Sequence, residues 1–63
     1  MDEHRAIYVT DIIPIIRKSQ ASAYRLLNNI RDSLNKKSHQ IVTIKDFCEF
    51  EGMKYEDIKK YFK

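Results

Sequence analysis

The side chains with the clearest chemical potential lie within residues 18–37, and they are of the types that bind nucleic acid. The set consists of Lys18, Ser19, Gln20, Ala21, Ser22, Tyr24, Arg25, Asn28, Arg31, Lys36 and Lys37. In the major groove of DNA, glutamine and asparagine pair with adenine and arginine pairs with guanine, while serine, tyrosine and lysine contact phosphate oxygens. The chemistry that this set favours is recognition of double-stranded DNA.

Charge is distributed unevenly along the 63-residue chain, whose net charge is +3. Residues 17–37 hold six cations against Asp32 alone, a net charge of +5, whereas residues 43–57 have a net charge of −3. A basic segment beside an acidic one predicts a molecule with one face suited to a polyanion. The alternative is that these charges merely solvate the surface, and charge alone does not decide between the two.

The element that must position these side chains is a helix predicted from about Gln20 to Asn35. Its apolar residues recur at helical spacing, and they are Ala23, Leu26, Leu27, Ile30 and Leu34. Ser19 precedes this stripe and is a favoured N-cap residue. On the opposite face lie Arg25 and Asn28, so the helix presents polar groups outward. The cations at its two ends are placed to contact phosphates.

A short apolar helix is expected before it, capped by Thr10 or Asp11. That cap places Pro14 in the first turn, where its missing N–H costs little. The alternative is a buried strand, because the four isoleucines around Pro14 favour sheets. Ala23 is predicted at the point where the two helices cross closely, since a small residue permits that approach. A short helix, a tight turn and a longer basic helix form the layout of a helix-turn-helix.

Residues 19–25, Ser-Gln-Ala-Ser-Ala-Tyr-Arg, resemble the start of the recognition helix in small helix-turn-helix proteins of the excisionase and MerR-like type. Asp11 and the isoleucines that follow it stand where that family has acidic and apolar positions. Residues 36–48 resemble the downstream part of small helix-turn-helix domains found on phages and conjugative elements. The resemblance implies a winged-helix type of fold that controls transcription or the direction of recombination in a mobile element.

The same resemblance implies that Ser19 caps the recognition helix near a phosphate, while Gln20, Tyr24 and Arg25 face DNA. The chain departs from the family pattern at two positions. Arg17 stands where the turn usually has glycine, so a positive φ would be strained there. Pro14 stands inside the usual first helix. A glycine-marked hairpin is also missing, so any wing must be short.

Further along the chain, Thr43 and Asp46 form a capping-box pattern, with Val42 and Phe47 at the two positions of a hydrophobic staple. A third helix should end at Gly52. A last helix, residues 54–62, would carry Tyr55, Ile58, Tyr61 and Phe62 on one face. A weak internal echo relates residues 8–10 to residues 41–43, because each leads from an extended run into a capped helix, a turn and another helix.

We therefore expect residues 1–63 to form a single, mainly α, helix-turn-helix domain of three to four helices. Residues 6–9 and 41–43 could pair as a short two-stranded ribbon, as in a winged helix. Because one copy makes few base contacts, a second copy or a partner protein is also expected. A rival hypothesis is a small interaction protein that binds another protein through its acidic, aromatic C-terminal half.

Catalysis and metal binding are not expected. His4, His39 and Cys48 are too scattered for a zinc site. The carboxylates of the C-terminal half should be solvated, so no enzyme, cofactor or small-molecule substrate is predicted. No apolar run approaches the roughly 20 residues that span a bilayer, and the polar N-terminus is unlike a signal peptide. With a lone cysteine, these features predict a cytoplasmic protein without a membrane partner.

Overall fold

A computed structural model of the protein describes residues 3–37 and 40–62. In these ranges the chain is mainly helical. The helices are α1 (Val9–Ile16), α2 (Gln20–Ser33), α3 (Ile44–Glu51) and α4 (Tyr55–Ile58), followed by a 3₁₀ helix (Lys59–Tyr61). Ser38 and His39, part of the polar stretch after α2, lie outside the described residues.

The ribbon expected between residues 6–9 and 41–43 is reduced to a single antiparallel bridge. That bridge joins Ala6 to Thr43, and no strand forms in the part of the chain that the structure describes. The pairing cannot extend because α1 already begins at Val9. The helical state of residue 9 therefore corrects the expectation that it is extended.

The first helix begins earlier than the sequence suggested. Its N-cap is Tyr8, so Asp11 is the third helical residue rather than the cap. From this position the Asp11 carboxylate accepts a hydrogen bond from the Tyr8 N–H at 2.9 Å, which satisfies an N–H that the helix leaves unpaired. Pro14 consequently lies beyond the first turn, and α1 is a helix of eight residues rather than a strand.

The second helix confirms the predicted cap and most of the predicted stripe. The Ser19 hydroxyl accepts a hydrogen bond from the N–H of Ser22 at 3.3 Å. Ala23 and Ile30 are fully buried. The helix ends at Ser33, two residues before the predicted end, and Leu34 is 43% exposed. Leu34 therefore does not extend the buried stripe, because it caps the helix instead of belonging to it.

The third helix has the predicted beginning and end. The Thr43 hydroxyl accepts from the Asp46 N–H, and the Asp46 carboxylate accepts from the Thr43 N–H, both at 3.0 Å. Val42 and Phe47, the two residues of the staple, are almost completely buried. Gly52 ends the helix with φ of 68°, the left-handed conformation that glycine adopts without strain.

The core brings all four helices together. Its buried members are Ile7, Ile12, Ala23, Ile30, Val42, Ile44, Phe47, Cys48, Ile58 and Phe62. Tyr55 and Tyr61 pack against this core, which confirms the apolar face predicted for residues 54–62, although α4 gives way to the 3₁₀ helix after one turn. Phe50, by contrast, is 43% exposed. Cys48 is also buried, at 5% exposure.

The structure reveals an internal repeat with a register of 35 residues, which relates residues 7–27 (the first unit) to residues 42–62 (the second unit). Equivalent positions of the helix frame are Tyr8 and Thr43, Asp11 and Asp46, Arg17 and Gly52, and Gln20 and Tyr55. Equivalent buried positions are Ile7 and Val42, Ile12 and Phe47, and Ala23 and Ile58. This register differs from the echo noted in the sequence, in which 33 residues relate 8–10 to 41–43.

Packing follows the same correspondence. The second helix packs against α3, and the 3₁₀ helix, its counterpart in the other unit, packs against α1. Two equivalent residues also meet directly, since the Ile7 N–H donates to the Val42 carbonyl at 2.8 Å. Each unit therefore covers the first helix of the other.

Candidate nucleic-acid interface

The orientation of α2 depends on how its apolar stripe packs against α1 and α3. Ala23 is fully buried in the core, so this side of α2 faces inward. Leu26 and Leu27 are half-buried against the core. With this stripe fixed inward, the helical period turns Arg25 and Asn28 toward solvent, and both are exposed.

Most of the sequence-predicted residues share this open surface, which we call the α2 face. Its exposed members are Lys18, Ser19, Gln20, Ala21, Tyr24, Arg25, Asn28 and Lys37. Three predicted residues are only half-buried, and these are Ser22, Arg31 and Lys36. Tyr24 is 59% exposed. The α2 face thus combines cations, amides and an open aromatic ring.

The Asn28 amide is oriented by Arg31. The Arg31 Nη1 donates to the Asn28 Oδ1 at 2.9 Å. A guanidinium can only donate, so the amide oxygen must face Arg31 and the amide NH₂ remains free to donate elsewhere. The Arg31 Nε is buried without a hydrogen-bond partner. We therefore interpret Arg31 as a residue that positions Asn28, in addition to the phosphate contact predicted for it.

Lys36 is bound within the molecule by a carbonyl and a carboxylate. Its ammonium donates to the Ile41 carbonyl at 2.7 Å and to the Asp46 carboxylate at 3.0 Å. Burial would raise the pKa of Asp46, but hydrogen bonds from Thr43 and Lys36 outweigh it, so the pKa lies below its ordinary value. Lys36 thus connects the segment before α3 to the Asp46 carboxylate, and its phosphate contact stays a prediction.

Ser19 has a structural role at the start of α2. Besides capping the helix, its hydroxyl donates to the Ser22 Oγ at 3.3 Å. The two serines are therefore hydrogen-bonded to each other at the N-terminal end of α2. Preceding them, Arg17 adopts φ of 56°, so the positive φ that the sequence analysis identified as a strain at a non-glycine residue does occur.

An open groove of about 570 Å³ runs along one flank of the α2 face. Its apolar residues are Ile15, Ile16, Leu26 and Met53, and its polar residues are Lys18, Ser22, Arg25, Asn29 and Glu51. Asn29 lies on the flank of α2, where helical spacing places it one turn after Arg25. Met53 was not predicted as a member of this surface, because it reaches the groove only through the packing of α3 against α2.

Among residues 3–37 and 40–62, no group of three or more His, Cys, Asp or Glu side chains is arranged to hold a metal ion. Within the same ranges, the helices are too short or too polar to cross a membrane.

No protein-family model, curated protein or solved structure matches this chain. The case for a function therefore depends on the side chains of the α2 face and on the elements that position them.

Proposed function

We propose that this protein binds double-stranded DNA by placing α2 in the major groove. It would act in the cytoplasm as a small regulator of transcription or of the direction of recombination in a mobile element. The observation that carries the proposal is the division of α2 into two faces. Ala23 and Ile30 are fully buried, while Arg25 and Asn28 are exposed on the opposite side.

The residues of the α2 face suit different parts of the duplex. Gln20, Arg25 and Asn28 carry the amide and guanidinium groups that read base edges, and each good pair contributes about 1–3 kcal/mol of discrimination. Lys18 precedes the helix and Lys37 follows it, so the two ammonium groups are available to phosphates at both ends. A single helix of 14 residues offers few base contacts. Affinity would be raised by a second copy or a partner protein on adjacent DNA.

The rival hypothesis of a protein-binding C-terminal half has less surface to use. Ile58 and Phe62 are buried, and Tyr55 and Tyr61 pack against the core, so this aromatic face already has an internal partner. Phe50, flanked by two glutamates, is the aromatic residue of that half that remains open. We regard it as the surface to test if DNA binding fails.

The proposal is tested by selecting duplexes from a random library and titrating the best one with labelled DNA at two salt concentrations. The informative variants are Arg25→Ala and Lys45→Ala, since both residues are exposed but Lys45 lies on α3. We expect Arg25→Ala to weaken binding by about 5- to 150-fold, which corresponds to the loss of one base contact. Lys45→Ala should leave the affinity nearly unchanged.

The salt dependence gives an independent check, because cations on phosphates release counterions and make the affinity fall steeply as salt rises. Selection that enriches no sequence, or equal losses from Arg25→Ala and Lys45→Ala, would contradict the proposal. A Phe50→Ser variant that loses a protein partner while DNA affinity is absent would instead support the rival.

A further inference from the structure

The second unit presents cations at the positions that correspond to the proposed DNA-binding residues of the first. With the 35-residue register, Ser19 corresponds to Lys54, Tyr24 to Lys59, and Arg25 to Lys60. All three lysines are exposed. The correspondence extends to the frame, because Ala23 and its counterpart Ile58 are both buried.

We propose that Lys54, Lys59 and Lys60 form a second nucleic-acid surface, which binds phosphates rather than bases. This inference rests on the proposed function, since it assigns the second unit a part in the same recognition. The internal repeat and the side-chain chemistry support it by separate observations.

The helical frame of the second unit limits what this surface can read. Helix α4 has four residues, and the 3₁₀ helix that continues it has three, against 14 in α2. So short an element cannot run along the floor of a major groove. Lysine is also a compact point charge that suits phosphate, whereas bidentate base reading needs arginine or an amide.

Two carboxylates restrict the contact further. Glu56 and Asp57 stand at the positions of Ala21 and Ser22, so they would repel phosphates at the start of α4. In the ranges that the structure describes, neither Lys59 nor Lys60 forms an ion pair within 4.0 Å. The Lys60 ammonium lies over the Tyr61 ring, 5.6 Å from its centroid, instead of pairing with the carboxylates. The cations of the 3₁₀ helix thus remain available to an external anion.

The same chemistry could serve phosphates of the duplex held by α2 or of a second duplex. The molecule measures 28 × 24 × 20 Å, so both surfaces fit within one turn of DNA, about 34–36 Å. The two surfaces could equally contact two different duplexes, because they lie on separate elements, α2 and the 3₁₀ helix, which both pack on α1. The experiment therefore needs one measurement for each source.

In the first measurement, the salt dependence of binding to a single selected duplex is compared for wild type, Lys59→Gln/Lys60→Gln and Lys45→Gln. If both lysines contact that duplex, the slope of log affinity against log salt should become shallower by about 1.8 in the double variant. In the second, donor- and acceptor-labelled duplexes are mixed with the protein, and energy transfer reports bridging. If the lysines hold a second duplex, wild type should bridge and the double variant should not.

The inference is overturned if the double variant matches Lys45→Gln in both slope and bridging while wild type binds DNA. Circular dichroism confirms that the variants fold, and the single variants Lys59→Gln and Lys60→Gln apportion the effect. If wild type binds no duplex, or if Arg25→Ala has no effect, the proposed function of α2 has failed instead. The two failures are thus separable.

Discussion

Arg17 and Gly52, 35 residues apart, both adopt the left-handed helical conformation, with φ of 56° and 68° respectively. Each directly follows a helix of eight residues, and three residues later each unit begins its next helix. The turn thus needs the same backbone geometry in both units, but only the second unit has the residue that adopts it without strain. The first unit keeps a cation at this position at a cost in stability.

Replacing Arg17 with glycine should stabilise the protein. A left-handed conformation costs a residue with a Cβ about 1–2 kcal/mol, and a glycine at this position would not carry that cost. Glycine has a greater conformational entropy in the unfolded chain, which offsets part of the stability gained. We expect Arg17→Gly to raise the free energy of unfolding by about 0.5–1 kcal/mol in urea titrations. Lys18→Gly is the matched control, because Lys18 is not among the positive-φ residues, and it should destabilise. If Arg17→Gly raises the free energy of unfolding no more than Lys18→Gly does, the Arg17 backbone is not strained.

The reciprocal change, Gly52→Ala, should destabilise the protein by about 1 kcal/mol for the same reason. A Cβ built at Gly52 meets nothing within 4 Å, so the cost is conformational and involves no steric clash. The melting temperature should fall by about 4–8 °C, the usual shift per kcal/mol for a domain of this size. Gly52→Asn is the control, since asparagine tolerates this conformation better, and it should melt between wild type and the alanine variant. Equal melting temperatures for all three would contradict the assignment of Gly52 as the helix end.

Stability should also depend on the ionisation of Asp46. Its folded-state pKa is lowered, so its contribution is present above the ordinary value of 3.8 and is lost as pH falls through the lower folded value. Asp46→Asn should therefore be less stable than wild type at pH 7, by about 1 kcal/mol, and the difference should shrink below pH 4. Urea titrations at several pH values measure this. Asp32→Asn is the matched control, because Asp32 is exposed and lies on α2, away from the cap of α3.

Local patterns predicted most of the frame. The Ser19 cap, the box of Thr43 and Asp46, and the end of α3 at Gly52 could be predicted because each depends on a few neighbouring residues. The start of α1 could not be predicted in this way, because Asp11 is compatible with two local arrangements. Asp11 either caps the helix or accepts from the preceding N–H as its third residue, and the bridge at Ala6 favours the second by fixing the chain just before it.

The candidate site was predicted less completely than the frame. Helical periodicity correctly turned Arg25 and Asn28 outward, since it depends on sequence spacing alone. It could not show that Lys36 is held by Asp46, ten residues later in the chain, nor that Met53 borders the α2 face. Both facts depend on how α3 packs against α2, which spacing within one helix does not encode.

Cys48 should react slowly with thiol reagents in the folded protein. It is 5% exposed, and burial, with Glu3 and Glu49 nearby, raises the pKa of its thiol, so little reactive thiolate is present at neutral pH. We expect a disulfide reagent to label Cys48 slowly in buffer, at a rate set by unfolding. Labelling should be rapid in denaturant. Cys48→Ala should abolish labelling under both conditions. Fast labelling without denaturant would mean that α3 opens readily or is packed differently.

The burial of Ala23 should control both stability and DNA binding. Ala23 is fully buried in the core, so Ala23→Leu must displace the residues around it, and overpacking of this kind costs about 1–3 kcal/mol. Ala21→Leu is the matched control, because Ala21 is exposed two residues earlier on the same helix, and its stability should change by less than about 0.5 kcal/mol. Urea titration separates the two variants in stability.

DNA titration should separate the same pair in a different way. Because Ala21 belongs to the α2 face, Ala21→Leu should weaken DNA binding without unfolding the protein. Ala23→Leu should lose affinity in proportion to the fraction unfolded, together with any tilt of α2. If Ala21→Leu were the variant that unfolded while Ala23→Leu remained stable, α2 would be packed with its other face inward, and Arg25 and Asn28 would have no access to DNA.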